Sequence, residues 1–431
     1  MSNLIINGGK VLSGEVTPSG NKNSVLPILC ASLLTDEKVT LRRVPDTTDV
    51  NKLVELLKSI GSTIEWDKES SVLEINNSTI DKSKFDNDFP VGMRGSILLF
   101  PPLLYRMKKL KFKNEIGGCS LGIREIDTHL EALKALGAKV VEVEDGLLIS
   151  IEDRFPGGND WQDFMSVTTT ENFIMGAVLA KGNSKLVNAA SEPHVQDLCN
   201  FLNQMGAKIS GVASCVVEIE GVDSLKGIDF TISPDYHEVT TYLALGAMTG
   251  GEVKVHHSGK EHLTLIVKSF EKLGVHIEFE DDTAIVRSNQ KLEIVKPFTQ
   301  NMLPKIEAAP WPYFPVDVMP LLIALAVKAK GEIMFWNKVY EAGFFWIPEM
   351  IKFGAHIVMG DPHRIIVFGG KELSPASVVS PNIIRAAIAL TMVGLTVEGV
   401  STIKEADPIK RAHPHFIENL QSLGAQISWE E

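Results

Sequence analysis

The sequence predicts an α/β protein of two domains, each assembled from three βαβαββ units. Three observations carry that prediction. A short helical pattern ends in Leu-Gly-Ala or a close variant six times, with its glycine at Gly61, Gly137, Gly206, Gly274, Gly354 and Gly424. Each of these glycines leads into a strand of alternating polarity, as in Lys208-Ile209-Ser210 and Cys215-Val216-Val217-Glu218-Ile219-Glu220. Each unit also holds an apolar helix rich in small residues, followed by a turn and a β-rich strand.

The elements follow in chain order. A glycine just past a helix adopts left-handed backbone with little strain, so Leu-Gly-Ala reads as a helix stop. The small-residue helices are expected at Ser24–Leu34, Ser96–Met107, Thr170–Ala180, Thr240–Met248, Val318–Lys328 and Ala386–Val397. The strands after them are Val39–Leu41, Leu110–Phe112, Lys185–Val187, Val253–Val255, Ile333–Phe335 and Thr402–Ile403. One such unit cannot bury its own helices, whereas several packed around shared helices can. A chain of 431 residues has room for two or three domains, and six units divide into two groups of three.

Composition narrows the function. Hydrophobic residues make up 44% and charged residues 22%, which is ordinary globular usage. The net charge of −12 argues against nonspecific nucleic-acid binding but leaves room for a local cationic cleft. The N-terminus lacks a secretory pattern and the apolar runs are too short to span a bilayer, so a cytoplasmic protein without membrane partners is expected. Cys30, Cys119, Cys199 and Cys215 show no Cys-x-x-Cys spacing, so neither a zinc site nor a disulfide framework is expected. Cys30, Cys199 and Cys215 read as structural.

Aligning the units puts one helix start per unit at an equivalent place: Lys22 with Asn23, Arg94, Ser166 to Thr170, Asp235 to Glu238, Asp317, and Arg385. Helix N-termini present free N–H groups and attract anions. Lys22 and Arg94 are cations at helix starts, where the dipole disfavours them, which points to an anionic ligand. Asp317 has two readings, a helix cap or a carboxylate that accepts a hydroxyl proton. Gly117-Gly118-Cys119-Ser120-Leu121-Gly122-Ile123-Arg124 reads as a mobile loop whose thiol is activated by a nearby guanidinium.

These residues resemble the enolpyruvyl (carboxyvinyl) transferase family, nearly end to end. The likeness rests on Ser19-Gly20-Asn21-Lys22-Asn23, Gly117-Gly118-Cys119 to Arg124, Ser166-Val167 with Thr170-Glu171-Asn172, Met205-Gly206-Ala207, Phe314-Pro315-Val316-Asp317 and Leu423-Gly424-Ala425. The Cys119 loop is similar to the branch that acts on UDP-N-acetylglucosamine rather than on 3-phosphoshikimate. The resemblance implies two inside-out α/β barrel (prism) domains, each of three βαβαββ repeats. Residues 21–232 would form the first, with the Cys119 loop as a lid, and 1–20 with 233–431 the second. It implies phosphoenolpyruvate and a sugar nucleotide as substrates, in an interdomain cleft, with no metal or other cofactor.

Carried over by position, Lys22, Arg124 and Arg411 would hold phosphoenolpyruvate, with Arg94 and Arg385 supporting the anion site. Asn23 and Asp317 would bind the acceptor, as would Ser166 and Val167 at their helix start. Asp317 would take the hydroxyl proton, and Lys22 and Cys119 would complete the catalytic set. Cys119 would act as general acid or take part in closure and product release.

The chain departs from the family pattern at six positions. Gly343 stands where the family usually has arginine, and Ile383 where it has aspartate. Tyr236 replaces an arginine and His194 a glutamate, while Phe164 and Thr168 alter the uridine side. Lys410, His413 and His415 flank Arg411, and each is a candidate to supply a missing cation. The departures leave open a paralogue with another nucleotide or sugar acceptor, or a catalytically weakened binding protein.

Overall fold

All six helix-ending glycines lie in left-handed backbone, with φ between 79° and 107°. This is the conformation that only glycine adopts without a Cβ penalty, so the repeat is written into the backbone at those points. The computed structural model describes residues 2–80, 94–112, 126–144, 146–299 and 302–430. Contacts divide the chain into two units, one containing Met1–Ser19 and Pro234–Glu431, the other Gly20–Gly118 and Ile123–Ser233.

Within each unit the sheets repeat one plan. Val39–Arg42 pairs antiparallel with Val72–Asn76, which pairs antiparallel with Thr63–Asp67. Asp229–Thr231 then joins parallel beside Val39–Arg42. The same strand order builds four further sheets, and a sixth, of three strands, holds Lys109–Phe112, Gly146–Ser150 and Lys139–Val143. The N-terminal strand Asn3–Gly8 sits in one of the four-stranded sheets, antiparallel to both Gly399–Lys404 and Gln426–Glu430. Ile5 lies opposite Thr402 and Ser428.

The central helices are buried on every side, which is the inverse of a surface helix. In one unit they are Tyr236–Thr249, Met319–Lys328 and Ile384–Thr396, packed on one another. Every residue from Met319 to Val327 is buried, and so is every residue from Arg385 to Leu395. Such a face must be apolar all round, and each fully buried Leu or Ile there contributes about 1.5–3 kcal/mol. In the other unit the central helices are Lys22–Ala31, Phe100–Met107 and Val167–Ala177. Each unit has its own apolar core.

Two details differ from the sequence reading. The helix expected at Ser96–Met107 begins only at Phe100, and a 3-10 turn, Arg94–Leu99, precedes it. Pro101 and Pro102 explain this, because neither has an N–H to donate back to Ile97 or Leu98, so an α-helix cannot run through them from Ser96, whereas both fit its first turn. Cys215 is exposed, so unlike the buried Cys30 and Cys199 it has no packing role.

Candidate active site

Lys22 opens the helix Lys22–Ala31, capped by Asn21, whose side chain accepts from the Asn23 N–H at 2.8 Å. The lysine is only 8% exposed, and its Nζ lies 3.1 Å from Asp49 Oδ2. Asp49 sits in the first turn of the next helix, Thr48–Ser59. Pro27 lies inside the Lys22 helix and has no N–H, so the Asn23 carbonyl lacks its usual helical donor. The start of this helix therefore presents a paired ammonium and a carbonyl released from the ladder.

The Lys22 helix packs on the 3-10 turn that Arg94 begins, and that turn packs on the helix Val167–Ala177. Asn172 ties the last two together by donating to the Ile97 carbonyl at 3.0 Å. Ser166 is the N-cap of the Val167 helix, and its Oγ accepts from the Thr169 hydroxyl at 2.8 Å. Val167 is the first residue of the helix. Deeper in it, Glu171 is 1% exposed, and burial, with the negative charge of Glu192 beside it, holds its carboxyl well above the usual range. Burial likewise pushes the Cys199 thiol up to about 12, which fits an inert core cysteine.

The unit holding Asp317, Arg385 and Arg411 places the first two on elements that pack on the helix Tyr236–Thr249. Asp317 lies in the 3-10 turn Val316–Val318, which packs on that helix, and makes no capping hydrogen bond. The N-cap of Met319–Lys328 is Val318, so the reading of Asp317 as a helix cap is set aside. Arg411 ends the 3-10 turn Asp407–Arg411, which packs on the helix Ile384–Thr396. Arg385 is the second residue of that helix and is 7% exposed.

Arg385 Nη2 lies 3.5 Å from Asp235 Oδ2, and Arg385 Nη1 lies 2.7 Å from His413 Nε2. Asp235 also accepts from the ring of His237 at 2.6 Å and from its backbone N–H at 2.8 Å. Burial opposes ionisation of Asp235, yet His237, which donates to it, and the Arg385 charge hold its carboxyl well below the usual range. Burial and the Arg385 charge lower the His237 pKa, so this ring is neutral at pH 7, and the Asp317 charge reaches it as well.

Arg94 begins its turn as expected, while Cys119 and Arg124 lie outside the described residues. Asp49 was not among the expected site residues, while Glu238 was named only within a helix start and His413 only as a flanking candidate cation. Asp49 looks like an ordinary first-turn acid in sequence, and His413 could be placed only by the chain's return to Arg385. Lys410 Nζ binds Asp407 at 3.0 Å and lies over Trp429. Gly343 is closed to a larger residue without movement, because a Cβ there would lie 1.8 Å from Asn337 Nδ2. Among the described residues no group of His, Cys, Asp and Glu is arranged to hold a metal, and no helix is long and apolar enough to cross a membrane.

The family model for EPSP synthase (3-phosphoshikimate 1-carboxyvinyltransferase) matches residues 6–420. The UDP-N-acetylglucosamine 1-carboxyvinyltransferase of Bradyrhizobium diazoefficiens is 42% identical over 426 residues, covering 98% of this chain and 97% of the relative. The enzyme of that name from Borrelia garinii subsp. bavariensis is 39% identical over 427 residues, 99% of each. Among solved structures, the enolpyruvyl transferase NikO from Streptomyces tendae has a TM-score of 0.84 at 21% identity, covering 99% of both chains. EPSP synthase from Acinetobacter baumannii has a TM-score of 0.78 at 16% identity over 100% of both. At those identities the two structures speak to the fold, which is the repeated-sheet, buried-helix plan found here. With its model matched almost end to end and its relatives matched at full length, the chain belongs to the EPSP synthase (3-phosphoshikimate 1-carboxyvinyltransferase) family.

Proposed function

We propose that this protein transfers the enolpyruvyl group of phosphoenolpyruvate to the 3-hydroxyl of UDP-N-acetylglucosamine, releasing phosphate, in the cytoplasm and at the start of peptidoglycan synthesis. The observation that carries the reading is 42% identity over nearly the whole chain to a transferase of that name. The reaction is addition followed by elimination. The sugar hydroxyl loses its proton and its oxygen bonds to the central carbon of phosphoenolpyruvate, while the methylene carbon gains a proton. The tetrahedral ketal then loses that carbon's proton and the phosphate, restoring the double bond.

Each step needs proton transfer and charge positioning. Asp317 takes the hydroxyl proton; its half-buried carboxylate, which caps no helix, supports this role. Lys22, Arg124 and Arg411 hold the phosphate and carboxylate of phosphoenolpyruvate, with Arg94 and Arg385 behind them. Lys22, poised beside Asp49 at a helix start, fits such a task. Asn23, Ser166 and Val167 contact the acceptor. Cys119 donates to the methylene carbon or governs closure and release.

The test is phosphate release from phosphoenolpyruvate with UDP-N-acetylglucosamine, with the product identified by mass. An enolpyruvyl-sugar product is expected. Binding of phosphoenolpyruvate without turnover of this acceptor would move the function to another sugar or nucleotide. An epoxide analogue of phosphoenolpyruvate is expected to alkylate Cys119 when acceptor is present, and an unmodified intact mass would remove that residue from the catalytic set.

A further inference from the structure

Arg385 poses a physical problem that its own helix does not solve. It is a buried cation in the first turn of a helix with no acidic residue there, and the N-cap Ile383 has no side chain to offer. The dipole disfavours a positive charge at that end, and a buried guanidinium needs partners. The partners come from elsewhere in the same unit. Asp235 approaches only to 3.5 Å, because its other oxygen is committed to His237 at 2.6 Å. The close partner is His413, at 2.7 Å.

A guanidinium has only donors, so His413 Nε2 must accept from Arg385 Nη1. That fixes the imidazole as the neutral form with its proton on Nδ1. Nδ1 faces Glu238 Oε1 at 3.3 Å, too poorly aligned to count as a hydrogen bond but close enough for the N–H dipole and the carboxylate to attract. The other oxygen of Glu238 accepts from the Ser19 N–H at 3.0 Å. His413 is 3% exposed and Glu238 1%.

We propose that His413 is a positioning residue for Arg385, a neutral acceptor that fixes the guanidinium without cancelling its charge. The inference rests on the reading of Arg385 as part of the phosphoenolpyruvate site. A close carboxylate would orient Arg385 too, but would spend its charge on the protein. An imidazole held by Glu238 uses one N–H of the five and leaves the cation available to an anionic substrate. His413 thus supplies no missing positive charge of its own; it keeps an existing one directed.

The experiment compares His413→Leu, His413→Asn, His413→Gln and Arg385→Ala in steady-state kinetics with phosphoenolpyruvate and UDP-N-acetylglucosamine. Losing one hydrogen bond to a charged group corresponds to roughly tenfold in binding. His413→Leu is expected to raise KM for phosphoenolpyruvate about tenfold and KM for the sugar nucleotide less than about twofold. His413→Asn, too short to reach Arg385, behaves like His413→Leu and serves in its place if the leucine variant fails to fold. His413→Gln places an amide oxygen towards Arg385 and recovers most of the loss. In the Arg385→Ala background, His413→Leu adds no further loss of phosphoenolpyruvate affinity.

The proposal is overturned if Arg385→Ala raises KM for phosphoenolpyruvate and the leucine or asparagine variant does not. It is overturned equally if His413→Gln loses as much as they do, or if the two losses are additive. If Arg385→Ala itself leaves that KM unchanged, the site reading fails first and the inference falls with it.

Discussion

The two units begin their central helices with a buried cation, and they treat it differently. Lys22 meets one carboxylate, Asp49, at 3.1 Å, a simple pair of opposite charges. Arg385 meets a neutral imidazole at 2.7 Å and a shared carboxylate at 3.5 Å, inside a network that also contains His237 and Glu238. A lysine is a compact point charge that one carboxylate holds well, whereas a guanidinium is a flat fork that needs acceptors in fixed directions. The difference teaches that two cations at equivalent places in a repeat can be stabilised by unrelated means, so the repeat alone does not reveal their partners.

Substitutions can break this comparison, and the largest effect is expected at Asp317. It caps nothing, so Asp317→Asn should lower kcat by about 10²–10⁴-fold while leaving the unfolding midpoint within about 2 °C. A matching fall in stability would make Asp317 a structural residue. Next comes the Lys22 pair. Asp49→Ala leaves a buried ammonium without its carboxylate and is expected to cost about 3 kcal/mol in urea unfolding. A cost near zero would mean that Lys22 reaches water, and the contrast between the units would dissolve.

The network should respond more gently, because several groups share each charge. Asp235→Asn is expected to cost about 2 kcal/mol at pH 7. Asp235 has a folded pKa depressed below its ordinary value of 3.8, so its contribution is full above that pH and is lost as pH falls through the folded value. Wild type and variant should therefore converge in acid, and parallel curves down to pH 2 would count against the charge as the cause.

The smallest effect, and a gain, is expected at Glu171. Its folded pKa is raised above 4.5 by burial and by Glu192, so from pH 4.5 upwards the unfolded chain releases a proton that the folded one keeps. Stability then falls as pH rises through that window. Glu171→Gln cannot titrate, so it should flatten the decline and stabilise at pH 8 by roughly 1 kcal/mol. An unchanged pH slope would show that Glu171 is not the group responsible.

The sequence by itself determined the repeat, because helix stops and strand alternation are demands made on a few neighbouring residues. A left-handed turn favours glycine, which has no Cβ to strain, and all six of these glycines take it. The helix starts that carry Lys22, Ser166, Asp235 and Arg385 were legible for the same local reason. Even the late start at Phe100 has a local cause, in Pro101 and Pro102. Tertiary structure alone decided which charges meet. Lys22 and Asp49 lie on successive helices, Arg385 finds partners on either side of it in sequence, and the strand Asn3–Gly8 completes a sheet with residues near the C-terminus. Ion pairing depends on distances of a few ångströms between segments whose separation along the chain carries no information about their separation in space, so only the packed fold fixes it.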